Sequence, residues 1–163
     1  NLSGCSGGAN VSALSKVREL TLTNCRRIED VSALGGVRKL HLGNCSGVVD
    51  LSALGVVREL CLDGCDRVTD VSALGAVRKL NLSYGTALED VSALGTVRNL
   101  DLTNCTAVED VSALGKVRRL LLNRCEHDTD VSAFGAVREL CLWGCGGAAV
   151  EEGDDAGGGG GRG

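Results

Sequence analysis

Leucine alternates with other residues in RELTL, RKLHL, RELCL, RKLNL, RNLDL, RRLLL and RELCL, seven short stretches set 20 residues apart. Successive side chains of an extended chain point to opposite sides, so each stretch predicts a strand with one buried leucine face. None is long enough to stand alone. Between the stretches runs DVSALG or a close variant, in which Val31, Leu34 and Val37 and their equivalents are spaced to turn back onto that face. Asp30 and the aspartates at 50, 70, 90, 110 and 130 stand where an N-cap accepts from amides two or three residues on. Gly35 and its equivalents stand where a short helical turn must stop.

A period of 20 residues, held without insertion from Leu2 to Cys145, is the mark of a solenoid. Each unit is a strand, a bend, a tight turn and a return. Stacked in parallel at ~4.8 Å per unit, the strands make a sheet about 30 Å long. Leu2 and Cys5 match Leu22 and Cys25, so a truncated unit precedes seven complete ones. Residues 1–145 are the expected solenoid. Residues 146–163, GGAAVEEGDDAGGGGGRG after Cys145, lack the apolar surface to offset ordering and are expected to be a flexible tail. With no Met, a start inside a repeat and no evident capping unit, the chain is expected to be a piece of something longer.

VRxLxLxxC resembles the LxxLxLxx(N/C) segment of leucine-rich repeats, and the resemblance covers residues 2–145. CTAVEDVSALGKVRRLLLNRC is most similar to the CxxIxDVSPL repeats of trypanosomatid leucine-rich-repeat proteins, and more distantly to bacterial internalins. LxLxxCxxVxD is shared with the cysteine-containing repeats of F-box adaptors. The units here are shorter and lack the usual Pro in the turn. The resemblance implies an α/β repeat solenoid, a right-handed leucine-rich-repeat horseshoe used for protein recognition. Short parallel strands would form its concave face and short helical or 3-10 turns its convex face.

Cys5, Cys25, Cys45, Cys65, Cys105, Cys125 and Cys145 share one column, interrupted by Gly85. A small side chain turned inward at the bend can bond the neighbouring backbone, and a thiol packs well there. Bridging neighbours would need side chains turned sideways out of the column, and nine cysteines is an odd number, so reduced structural thiols are expected. Reduced thiols in turn suggest a cytoplasmic setting. Five Asn-x-Ser/Thr sequons, at Asn1, Asn10, Asn44, Asn81 and Asn104, point the other way. They belong to a repetitive Asn-Ser-Thr vocabulary, and Asn44 and Asn104 adjoin the buried column.

A net charge of −4 gives no general basic surface for neutralising phosphates, so nucleic acid is not an expected partner. No apolar run approaches the ~20 residues that cross a bilayer. Neither a nucleophile–base arrangement nor a phosphate-binding Gly-rich loop is evident, and there are only two His, so no catalysis and no cofactor are expected. His41, Cys61 and Asp63 could in principle approach a metal, but three unlike ligands without a fourth argue against one. Asp128 replaces the apolar residue of its column, and the bend there is expected to open to water.

Columns that never vary hold up a solenoid, so recognition is expected where the copies differ. The first outward column reads Glu19, Lys39, Glu59, Lys79, Asn99, Arg119, Glu139, and its alternating charges should pair. The second and third columns, at 21 and 23 and their equivalents, hold His41, Asp101, Leu121, Asp63 and Trp143. Trp143 amid aliphatics, with Arg119 at the rim, has the composition of an interface hot spot. His41, Asp63, Asp101, Arg119, Leu121 and Trp143 are therefore the expected contacts to a protein partner. Arg18 and its six equivalents form an unbroken cationic column, whose stems cover the core edge or whose heads attract an acidic partner. The alternative to a free-standing interaction module is the sensing or recruiting region of a larger enzyme, such as a cyclase-linked receptor or ubiquitin-ligase adaptor.

Overall fold

A computed structural model describes residues 1–5, 11–125 and 131–144. The expected tail, together with Cys145, Asp128 and Asp130, lies outside the described residues. Strands β1 (Glu19–Thr21), β2 (Lys39–His41), β3 (Glu59–Cys61), β4 (Lys79–Asn81), β5 (Asn99–Asp101), β6 (Arg119–Leu121) and β7 (Glu139–Cys141) lie side by side in chain order in one sheet. All pairs are parallel and in register at whole repeats, Leu20 opposite Leu40 and so on to Leu140. Backbone pairing continues past each strand, with Leu22 N–H donating to His41 O at 2.8 Å and Asn24 N–H to Gly43 O at 2.7 Å.

A left-handed residue then breaks the extension. Gly4, Asn24, Asn44, Gly64, Tyr84, Asn104, Arg124 and Gly144 all have φ between 56° and 75°. The step swings the chain inward, so the next residue, usually Cys, enters the core. Its amide bonds back three residues, as in Cys45 N–H to Leu42 O at 3.1 Å.

The return turns are 3-10 helices: Val11–Leu14, Ser32–Gly36, Ser52–Val56, Ser72–Ala76, Ser92–Thr96, Ser112–Lys116 and Val131–Phe134. Four or five residues with i to i+3 bonds, such as Leu34 N–H to Val31 O at 2.9 Å, close one tight turn without room for an α-helix. The aspartates accept as expected but stand one residue before the cap position, which Val31, Leu51, Val71, Val91 and Val111 occupy: Asp30, Asp50, Asp70, Asp90 and Asp110 each accept through Oδ1 from the Ser amide two residues on, at 2.8–2.9 Å.

The glycines do not act as expected. Gly35 has no positive φ, and its turn runs on to Gly36. What requires glycine is the next coil: a Cβ on Gly35 would strike the carbonyl oxygen of Ala53, and one on Gly75 would lie 2.6 Å from Ala93 O. Gly135, in the last described coil, has nothing within 4 Å of that position.

The core is one continuous stack. Leu20, Leu22, Val31, Leu34 and Val37 and their counterparts through Val117 and Leu122 are buried with the cysteine column. The buried ladder thiols, from Cys25 to Cys125, bond the preceding coil, with Cys45 Sγ donating to Leu22 O at 3.1 Å, Cys65 to Leu42 O at 3.1 Å and Cys105 to Leu82 O at 3.2 Å. A buried donor is thereby satisfied in every unit that has one. No disulfide joins the described cysteines.

Candidate interaction face

The strand leucines turn inward, so the alternate strand positions form the exposed concave surface. In its first row the expected pairing takes place between Lys39 and Glu19 at 3.0 Å, Lys79 and Glu59 at 3.4 Å, and Arg119 and Glu139 at 3.3 Å. Asn99 leaves Lys79 and Arg119 without an acid between them.

The second row runs Thr21, His41, Cys61, Asn81, Asp101, Leu121, Cys141 through the strand register. Four of the six expected contact residues, His41, Asp101, Arg119 and Leu121, line one groove of about 380 Å³ along this row. Its floor includes Cys61, Asn81 and the backbone of the buried strand leucines. Asp101 is partly held, accepting from Thr103 N–H at 2.9 Å.

Asp63 lies beyond the strand end and does not line the groove. Its Oδ1 accepts from Cys61 Sγ at 2.9 Å and fills the space that a side chain on Gly43 would need. Burial and then this hydrogen bond raise the Cys61 thiol pKa to about 12, which makes the thiol unreactive. Among the described residues, no three metal-ligating side chains come together, and His41 is not drawn to the Cys61–Asp63 pair.

Trp143 stands apart from the groove as well. It is 75% exposed, and it shares a second depression with Tyr84, Thr103, Asn104, Asn123, Arg124 and Cys141. An amide ladder anchors its backbone: Trp143 N–H donates to Asn123 Oδ1 at 2.9 Å, and Asn123 Nδ2 donates to Thr103 Oγ1 at 3.4 Å. Tyr84, 58% exposed and left-handed, is a second aromatic beside this depression and was not among the expected contact residues. The signal was present in the column of Asn and Gly that precedes the cysteines, whose common property is a positive φ.

Two charge ladders flank these features. The guanidinium column from Arg18 to Arg138 is exposed along the N-terminal ends of the strands, and its last five members line a cationic groove. Like charges repeating every ~4.8 Å repel by about 1 kcal/mol per neighbour even in water. The second ladder is the exposed cap aspartates Asp30, Asp50, Asp70, Asp90 and Asp110, joined by Glu29, Glu89 and Glu109. Hydrogen bonds from the following serine hold these five carboxyls below their ordinary pKa, while neighbouring aspartates push Asp50 and Asp90 upward by repulsion. The hydrogen bonds win, and the ladder carries full charge at neutral pH.

Stacked strands, 3-10 returns and an inward bend column define a leucine-rich-repeat solenoid. Comparison with solved structures gives the same fold. An internalin, InlF, from Listeria monocytogenes aligns with a TM-score of 0.69 at 21% identity, over 88% of this chain and 46% of that one. Internalin C2 from the same organism aligns with a TM-score of 0.61 at 21% identity, over 81% of this chain and 64% of that one. The chain thus spans about half to two thirds of the length of these structures. No family model and no characterised protein sequence matches. No helix among the described residues is long and apolar enough to cross a membrane.

Proposed function

We propose that this solenoid is a non-catalytic protein-interaction module whose partner lies along the concave sheet. His41, Asp101, Arg119 and Leu121 contact it in the groove, Asp63 at the strand ends, and Trp143 at the neighbouring depression. The observation that carries this reading is the 75% exposure of Trp143, in a depression on the same face as the open groove lined by His41, Asp101, Arg119 and Leu121. Exposed aromatics with Arg and aliphatic neighbours are where binding energy concentrates. The leucine-rich-repeat fold shared with the internalins supports the same reading. Because the chain spans 46% and 64% of those two structures, the reading extends to a module within a longer protein.

The test is affinity enrichment from the native source with immobilised wild type beside the Trp143→Ala/Leu121→Asp variant. The expected result is a specific partner whose capture falls at least about tenfold in the variant, with an unchanged circular-dichroism melt. Equal capture by both proteins removes this face from the binding surface.

A further inference from the structure

We propose that the arginine ladder of one copy docks the aspartate ladder of a second copy of this chain. The two rows have opposite sign and the same 20-residue period. Among the described residues neither meets its counterion: the salt bridges there lie in the Glu19 row of the sheet. Like charges repeat along each row, and in the acidic one Asp30 and Asp70 push the carboxyl of Asp50 upward against the pull of its hydrogen bonds. Apposition of two copies brings a full row of unlike charges to each ladder, where the arginine groove now holds only Glu59 and Glu139 among its cations.

Spacing selects this occupant over other acidic partners. Same-side residues of an extended peptide repeat every ~6.8 Å and fall out of step with guanidiniums carried on strands ~4.8 Å apart. Duplex DNA presents a charge every ~1.7 Å of axis, and single strands are held by aromatic stacking platforms. The arginine groove contains no aromatic residue. A second copy presents its carboxylates once per coil, as the guanidiniums are presented, and guanidinium takes a carboxylate through two parallel hydrogen bonds. The carboxylates are pre-positioned, since Ser32, Ser52, Ser72, Ser92 and Ser112 hold one oxygen of each.

The two patches differ, so the contact is heterologous and does not close on itself; each added copy leaves one free ladder of each sign. Slips by whole repeats cost only end pairs, so assemblies vary in size. The exposed charges make association sensitive to salt.

Sedimentation velocity on the full chain tests the proposal, over a concentration series at roughly 20 mM and roughly 500 mM salt. The expected result is a mass that rises with concentration at low salt and an association constant at least about tenfold lower at high salt. Two variants locate the contact: Arg58→Gln/Arg78→Gln/Arg98→Gln, which keeps the stems, and Asp50→Asn/Asp70→Asn/Asp90→Asn, which keeps the acceptor for the serine amide. Each alone stops growing, while an equimolar mixture forms a one-to-one complex that grows no further. A monomer throughout the wild-type series overturns the proposal, and so does association that survives in either variant or a mixture without the paired species. Circular dichroism confirms that each variant folds. Should the glutamine variant not fold, the wild-type salt series and the asparagine variant still decide.

Discussion

Gly4, Asn24, Asn44, Gly64, Tyr84, Asn104, Arg124 and Gly144 share a left-handed backbone and little else. An L-residue there costs ~1–2 kcal/mol, which Asn bears better than residues that cannot bond locally. Asn44→Ala should therefore destabilise by about 1 kcal/mol, whereas Tyr84→Gly should stabilise by about 0.5 kcal/mol after the entropy cost of glycine. Urea midpoints of the two variants check both signs. This column escaped sequence reading because its residues differ in size, charge and polarity, whereas the cysteine column was legible as one small, thiol-bearing side chain repeated. Cys61 lies on the outward row, yet its position alone does not decide its reactivity. With a pKa raised to about 12 and a bond to Asp63, it should alkylate far more slowly than Cys141, which is partly exposed to a similar degree, as peptide mass mapping would show. The cap aspartates set the acid limit. Their folded pKa values lie below the unfolded ones, so their contribution is full above the ordinary aspartate range and is lost as pH falls through the folded values. The melting temperature of wild type should drop more steeply below about pH 4 than that of Asp50→Asn/Asp70→Asn/Asp90→Asn.

At the scale of the turn, one sequence letter has two meanings. Gly55 and Gly135 occupy equivalent positions in the repeat, but a Cβ on Gly55 strikes Ala73 O and one on Gly135 meets nothing. Gly55→Ala should cost about 1–3 kcal/mol by overpacking, while Gly135→Ala should be neutral or stabilising by up to about 1 kcal/mol. Thermal melts of the two variants measure the difference directly. A repeated glycine reads as a turn signal in sequence, yet its physical reason lies in a coil 18 residues further on, Ala53 against Gly35 and Ala73 against Gly55. Strand pairing was easier to foresee. Acids alternating with Lys39, Lys79 and Arg119 fixed three ion pairs once the register was known, and the register followed from the constant period. The division of the expected contact residues between a groove and a separate depression was not legible. It depends on how far the bend carries Trp143 beyond the strand end.

Across the whole molecule each coil touches only its neighbours, so stability is a sum of unit and interface terms, and the joints can be ranked. Deletion of residues 66–85 removes one full period and joins Cys65 to Thr86, so that β3 meets β5. The new joint sets Glu59 beside Asn99 and Cys61 beside Asp101, closes the gap that Gly85 leaves in the thiol ladder, and removes the strained Tyr84. Deletion of residues 26–45 is equally long but sets Glu19 beside Glu59, exchanging the Lys39–Glu19 pair for a like-charge contact. Both shortened chains should fold, because the leucine and valine columns realign after whole periods. The 66–85 deletion should hold the higher urea midpoint, by a margin equivalent to about 1 kcal/mol or more. A deletion of residues 66–75 alone shifts the register by half a unit, facing the apolar turn positions of one coil with the strand of the next. It should abolish the cooperative transition. Equal midpoints for the two full-period deletions would show that the Gly85 joint is no weaker than the others, and that burial in the leucine stack outweighs the ladder bonds.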